Sequence, residues 1–356
     1  MKTFGKFLKE NRNKRNYKLV EVSYALQIDS AIISKIESGK RTATRKQVLQ
    51  FIAFYNLEEK EAFSKWLSDK IVYDLQNETF ALEAFKVAEE QIRYEINSSK
   101  ASISLDKKIA SLLKKVSILQ KKWKSLKPLN KVQLEKMREY FMLNYTFDSN
   151  LIEGNTLTLQ ETHLVVNEGL TISGKSMKEH LEAVNHYEAI DFIIDLAKNK
   201  EPFTERILKK IHYLILKGID RSNSGVYRKV PVIISGAAHK PPQPYLIDKQ
   251  MEDVFVFYNR NKNKIHPVLL ASEMHQKIVT VHPFIDGNGR TCRLIMNLIL
   301  LQHGYTIANL KGNSIARLSY YRALERIQTK NNAVDFHSLI INTTIDSLHE
   351  HIELAG

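Results

Sequence analysis

Cysteine, proline and glycine are all scarce in this chain of 356 residues, at one, eight and thirteen. The single cysteine, Cys292, leaves no intramolecular disulfide to form and excludes a disulfide-stapled secreted scaffold. So little glycine and proline favours long helices over a turn-rich β architecture. Long apolar runs are missing as well. The longest, Leu294 to Leu301, falls short of the roughly 18–20 residues a membrane span needs and reads as a buried helix. Met1 to Arg15 alternates charge with apolar residues and holds no apolar core of signal-peptide length, so a soluble, cytoplasmic protein is expected. Acidic residues are in deficit, 39 against 53 Lys and Arg, and the net charge of +14 points to an anionic partner: nucleic acid, nucleotide or an acidic protein.

What is present reads as a mainly α protein in three parts. Residues 1–57 suggest several short helices with a basic surface, since Met1 to Lys46 holds 12 Lys and Arg against 4 acids, a net +8. Within them Asp29 is a good N-cap, Ile32, Ile33 and Ile36 make one apolar face, and Gly39 can take the left-handed C-terminal cap. Residues 58–128 read as a helical connector, with an amphipathic helix from Ala81 to Ile96 and a polar break at Asn97-Ser98-Ser99-Lys100. From Leu105 to Leu126, apolar residues recur among many lysines, as in a helix that packs on its own chain rather than a coiled coil, and Lys127-Pro128-Leu129 closes the connector. Residues 129–345 form the third part. Its one β signal is 226–247, where Val230, Val232, Ile233 and Ile234 precede Ser235, Gly236 and a proline-rich run; a small edge hairpin is expected there.

The sharpest chemical signal is His282-Pro-Phe-Ile-Asp-Gly-Asn-Gly-Arg-Thr-Cys-Arg293, placed between an amphipathic run and an apolar one, hence a loop joining two helices. Gly287 and Gly289 let successive N–H groups point into a concave nest, and the dipole of the following helix faces the same place. Arg290 and Arg293 share one face of that helix's first turn, where they oppose the dipole unless a polyphosphate lies between. Asp286 is an oxygen ligand suited to Mg²⁺, and His282 can act as a general base near neutral pH.

This segment resembles the Fic signature His-x-Phe-x-(Asp/Glu)-Gly-Asn-Gly-Arg-x-x-Arg at every specified position. The resemblance implies a helical domain that binds ATP·Mg²⁺ and transfers AMP to a Ser, Thr or Tyr hydroxyl of a target protein or of itself. His282 would take the hydroxyl proton and Asp286 would hold Mg²⁺. Gly287, Asn288, Gly289 and Arg290 would bind the α- and β-phosphates, and Arg293 the γ-phosphate. Upstream, Ser149-Asn-Leu-Ile-Glu153-Gly154 resembles the family's inhibitory motif, on a helix of about 145–154; Glu153 would pair with Arg293 and block the γ-phosphate site. Gly225-Val-Tyr-Arg228 and the flap residues Val232, Ile233, Ile234, Ser235 and Gly236 resemble the hairpin by which the family holds a target segment through strand addition. Tyr320 and Tyr321 fall where the family places aromatics near adenine, although two tyrosines on a helix also read as core packing. Glu182, His186 and Glu188 read as structural.

Ile32 to Arg41 resembles the third helix and following loop of lambda-repressor-like helix-turn-helix domains, with Gln27 where a glycine is usual and Lys18-Leu19 where Ser-Gln is usual. The resemblance implies duplex DNA as a partner, with Ser30, Ala31, Ser34 and Lys35 at the major groove, Lys40 and Arg41 on phosphate, and a homodimer as a common working form. Modules of this shape also make protein contacts. Three activities therefore remain open at this level: an autoinhibited AMP-transferase, a DNA-binding regulator whose Fic domain senses nucleotide or modifies itself, and the same site removing AMP.

Overall fold

The computed structural model describes residues 4–98, 106–126 and 130–355. Their regular structure is all helical, and they divide into two compact units, 1–102 and 103–356. The expected connector is shared between them. Of the expected boundaries, Lys127-Pro128-Leu129 and the second half of the 97–100 break lie outside the described residues.

The first unit contains α1 (Phe4–Lys14), α2 (Leu19–Leu26), α3 (Ser30–Glu37), α4 (Arg45–Tyr55), α5 (Glu59–Leu75) and α6 (Ala81–Ser98). Its core is built from Phe4, Leu8, Val22, Ile33, Ile36, Val48 and Phe51, and α5 joins it through Ala62 and Trp66, whose indole N–H donates to the Ala43 carbonyl at 2.8 Å. Gly5 lets α1 close on α3, because a Cβ there would run into the Ile36 and Glu37 carbonyls. The same contact is held by Arg12, which grips the buried Glu37 carboxylate with two N–H groups at 2.7 and 2.8 Å. Between α2 and α3, Gln27 adopts the left-handed conformation (φ 50°) that a glycine would take without strain. Asp29 caps α3 as expected, accepting the Ala31 N–H at 2.6 Å.

The second unit contains α7 (Lys107–Ser125), α8 (Lys131–Ile152), α9 (Leu159–Asn167), α10 (Met177–Lys198), α11 (Glu205–Leu216), α12 (Ile247–Asn261), α13 (Pro267–Val281), α14 (Asn288–Gln302), α15 (Ser314–Lys330) and α16 (Val334–Ala355). The lysine-rich α7 packs on its own chain, with Ile109, Leu113, Val116 and Leu119 buried in this unit's core. α14 is the centre of the unit: every residue from Leu294 to Leu300 is buried, between α13, α10 and α11.

The expected edge hairpin does not form. Among the described residues there is no β-strand, and 226–243 is an irregular excursion with a tight turn at Gly236 (φ 78°), where the Ala237 N–H bonds the Ile234 carbonyl. The physical reason lies in the composition. Pro231, Pro241, Pro242 and Pro244 bring no N–H to a ladder, and a two-stranded ribbon without a third strand is marginal at best. Ile233 stands 93% exposed on this excursion.

Candidate active site

The motif loop begins where α13 ends. His282 closes that helix in the left-handed conformation (φ 51°), a state that a non-glycine residue holds only where its surroundings enforce it. Pro283 cannot continue the helix, and Arg228 pins the His282 carbonyl through Nε at 2.8 Å. The imidazole Nδ1 faces the Val279 carbonyl at 3.4 Å, which can only accept; Nδ1 therefore carries the proton and Nε2 keeps its lone pair. Burial brings the His282 pKa down to about 4, so the ring is neutral at pH 7.

Arg228 does more than hold one carbonyl. Its Nη1 donates to Val230 O at 3.0 Å and its Nη2 to Pro242 O at 2.7 Å, so one buried guanidinium joins the histidine to both ends of the irregular excursion. Its ligands here are carbonyls, and burial lowers its pKa.

Residues 284–288 fold on themselves. Asn288 accepts the Phe284 N–H at 3.0 Å and donates to the Phe284 carbonyl at 2.8 Å. Its side chain thus shapes the loop, and what it can offer a phosphate is its main-chain N–H. Gly287 (φ 73°) starts α14, and a Cβ there would press on Ile215 and His212. His212 stacks on Phe284, with centroids 3.6 Å apart, accepts the Gly225 N–H at Nδ1 and donates from Nε2 to the Asp286 carbonyl at 2.9 Å. Burial lowers its pKa to about 4. The half-exposed Asp286 carboxylate accepts the Gly287 N–H at 2.6 Å and lies 4.0 Å from Lys178 Nζ.

Both motif arginines are buried in the first two turns of α14. Arg293 donates from Nε to Ser149 Oγ at 3.0 Å, and from Nη2 to Ser149 O at 2.9 Å and Glu153 Oε1 at 2.7 Å, while its Nη1 has no hydrogen-bond partner. Burial by itself would lower the Arg293 pKa; the Glu153 carboxylate outweighs that and holds it above the ordinary arginine value. A Cβ on Gly289 would run into Glu153 Oε1. The carboxylate therefore lies against the first turn of α14, where main-chain N–H groups and the helix dipole favour an anion.

Arg290 has a carboxylate of its own. Its Nη1 lies 3.1 Å from Glu182 Oε1, off the N–H direction, so the contact is an ion pair that leaves Nε and Nη1 without hydrogen bonds. Glu182, read from sequence as structural, belongs to the site. Its other oxygen accepts from Asn155 Nδ2 at 3.0 Å, two residues beyond Glu153. His186 is buried beside both arginines, its pKa pushed well below the ordinary value by burial and by their charge, and Glu188 pairs with Lys217 at the surface.

Other elements fix the end of α8 that carries Ser149 and Glu153. Asp148 accepts from Asn309 Nδ2 at 2.7 Å and from the Gly312 N–H at 2.9 Å, and the Tyr321 hydroxyl donates to Ile152 O at 3.0 Å. Tyr320 is core: its hydroxyl meets His275 Nε2 at 3.1 Å, and its ring centre lies 6.0 Å from the Arg293 guanidinium. In the first unit, Ala31, Ser34, Lys35, Lys40 and Arg41 are exposed and Ser30 is half-buried, all on α3 or the turn after it.

Residues 202–300 match the model of a family described as the Fic/DOC family. A protein adenylyltransferase Fic of Nematostella vectensis is 34% identical over 181 residues, 50% of this chain and 42% of that protein. A protein adenylyltransferase fic-1 of Caenorhabditis elegans is 33% identical over 191 residues, 53% of this chain and 37% of that one. The chain thus spans about two fifths of the length of these relatives. Among solved structures, a Fic domain containing signaling protein from Bacteroides thetaiotaomicron superposes with a TM-score of 0.62 at 29% identity, over 68% of this chain and 96% of that one. Fic-1 residues 134–508 from C. elegans give a TM-score of 0.62 at 23% identity, over 94% and 96%, a likeness of fold. The matched segment ends within the helix that the His282–Arg293 motif opens, so the motif lies inside the part of the chain that is similar to the Fic/DOC family.

Proposed function

We propose that the second unit is a protein adenylyltransferase held in check by Glu153. One observation carries the reading: a carboxylate of the chain itself lies on the first turn of α14 and on Arg293, in the place built for an anion. Nη1 of Arg293 and Nε of Arg290, which make no hydrogen bond, are donors a triphosphate would satisfy.

In the reaction, a Ser, Thr or Tyr hydroxyl oxygen of the target attacks the α-phosphorus of ATP. The new O–P bond forms as the bond from the α-phosphorus to the bridging oxygen breaks, pyrophosphate leaves, and the hydroxyl proton passes to His282 Nε2. The main chain at 287–289 and Arg290 would hold the α- and β-phosphates, and Arg293 the γ-phosphate once Glu153 withdraws. This is chemistry of positioning and charge. Asp286, half-exposed at the loop, fits a Mg²⁺ brought in on the nucleotide, since that ion takes one or two carboxylates beside phosphate oxygens and would offset phosphate charge there. The excursion at 230–242, with Val232 to Gly236, would receive the target's backbone as an added strand. Incubating the wild type and Glu153→Gly with labelled ATP tests the reading, and label on protein that is absent in His282→Ala is the expected result.

The exposed row Ala31, Ser34, Lys35, Lys40 and Arg41 supports a second reading, that the first unit binds duplex DNA, as a dimer where the site is palindromic. A gel-shift series across salt tests it: Lys40→Ala/Arg41→Ala is expected to weaken binding to all sequences alike and to flatten the salt slope by about two. A cytoplasmic location would suit both ATP as co-substrate and DNA as partner.

A further inference from the structure

The positive charge of this chain is concentrated. Residues 1–46 carry a net +8, and α7 carries seven lysines and no acid; these two stretches together carry +15 of a chain whose net charge is +14. Six of the α7 lysines come in pairs, Lys107/Lys108, Lys114/Lys115 and Lys121/Lys122, and every one is exposed. The pairs recur every seven residues, two helical turns, so they lie in one gently drifting double row with about 10.5 Å between pairs.

An ordinary solvated helix face mixes its signs, and several other helices of this chain do so. Lys65 pairs with Glu61, Lys136 with Glu139, Lys209 with Glu205 and Lys249 with Glu252 and Asp253, each within one helical turn. Among the described residues no carboxylate lies within ion-pair distance of the six α7 lysines. The row is also rigid, because the opposite face of α7 is sealed into the core by Ile109, Leu113, Val116 and Leu119.

We infer that the lysine face of α7 is a docking surface for the sugar–phosphate backbone of duplex DNA, an inference that rests on the DNA reading of the first unit. Charge complementarity commits it to a polyanion. A straight row of three cation pairs spanning about 21 Å suits a rod that carries one negative charge per about 1.7 Å of its axis. A lipid surface fits less well, since helices that lie in a bilayer interface sink their apolar face into it, and the apolar face of α7 is occupied by the protein core. The first unit lies upstream on the same chain, so its docking on a duplex would raise the local concentration of that duplex for α7. The two surfaces would divide the work: α3 discriminates sequences, and α7 adds sequence-independent affinity.

The test uses the full-length protein with all six paired lysines changed to Gln, beside Lys40→Ala/Arg41→Ala, on a 30-base-pair random duplex between 50 and 200 mM salt. Far from the motif loop, the six changes are expected to leave melting temperature and AMP transfer as in the wild type. They should flatten the slope of log affinity against log salt by about five, since each phosphate contact contributes about 0.9. A wild-type slope in the lysine variant overturns the inference. If in that case Lys40→Ala/Arg41→Ala still weakens binding, the DNA reading of the first unit survives alone; if the wild type binds no duplex at all, both fall. Lysine-dependent binding to phosphatidylserine-containing vesicles, without DNA binding, would make α7 a membrane surface and overturn the inference as well.

Discussion

Replacing Glu153 with Gly should lower the stability of the nucleotide-free protein and raise its affinity for ATP by comparable amounts. The wild-type pair joins a guanidinium with 1% of its side chain exposed to a carboxylate with 30% exposed, at 2.7 Å. Removing one partner of a fully buried pair costs roughly 3–5 kcal/mol. Ser149 still holds two N–H groups of Arg293 and the carboxylate is partly solvated, which brings the expected cost down to about 2 kcal/mol. For a body the size of the second unit that is a fall in melting temperature of about 4–8 °C. The same 2 kcal/mol no longer has to be supplied by an incoming triphosphate, so ATP should bind about 30-fold more tightly. At a hundred times its dissociation constant the nucleotide then returns about 2.7 kcal/mol of stability. The signature is a crossing in a thermal-shift titration, with the variant below the wild type without ATP and gaining more with it, together with faster AMP labelling. A lower melting temperature with no larger rise on ATP, and labelling no faster than wild type, would refute the reasoning. Arg293→Ala in the Glu153→Gly background should cancel the gain, because the two residues act as one unit.

His282→Ala should abolish labelling and leave ATP affinity nearly unchanged, as measured on one preparation by label incorporation and calorimetry. Glu182→Gln should leave the buried Arg290 with only the half-exposed Asp286 carboxylate, at 3.8 Å, as counterion and destabilise the nucleotide-free protein by about 2 kcal/mol, read from denaturant melts, with ATP restoring part of the loss. His212, His266, His282 and His351 each have a pKa lowered by burial to about 4. The unfolded chain therefore takes up protons first as pH falls, and stability of the second unit should be full above about pH 6.5 and drain away toward pH 4. The loss is on the order of 1 kcal/mol per histidine at pH 5.5, and a urea midpoint that does not move between pH 7.5 and 5.5 would contradict it.

The loop chemistry was legible because it is local. Twelve consecutive residues hold His282, the Asp286 carboxylate, the three left-handed or glycine positions and both arginines, and helix geometry alone brings Arg290 and Arg293 to one face. Glu153 lies 140 residues away and was found through its motif. Glu182 and His212 were missed as site residues, since no local pattern marks them: they reach the loop only because α10 and α11 pack against α14. The excursion at 226–243 shows the opposite failure. Its β-branched run signals a strand correctly as far as local preference goes, but strand pairing needs a partner with free N–H groups, and the prolines withhold them. Which unit α5 and α7 join has the same origin as Glu182, since it depends on which core receives Trp66 or Leu113.

On the proposed reading, inhibition and stability are one interaction in this site. A pocket that would hold a triphosphate with two buried arginines must, when empty, hold two buried cations, and each would cost several kcal/mol without an anion. Glu182 answers for Arg290 and Glu153 for Arg293, but the two carboxylates are placed differently. Glu182 is buried and tied by Asn155, and its ion pair leaves Arg290 N–H groups open toward another ligand. Glu153 sits 30% exposed at the end of α8, close enough to Gly289 to occupy the anion site itself. The first can stay while nucleotide binds; the second must leave. A shift of α8 that breaks the Asp148 contacts to Asn309 and Gly312 would withdraw Glu153. The strength of the check should therefore track how firmly the residues around Asp148 hold the helix end. Asp148→Asn keeps the shape and removes the charge that faces Lys311 at 3.4 Å. It should raise labelling above wild type but by less than Glu153→Gly, and it should add nothing in the Glu153→Gly background, where there is no carboxylate left to withdraw. An additive gain in that double variant would show that Asp148 acts on the site by another route.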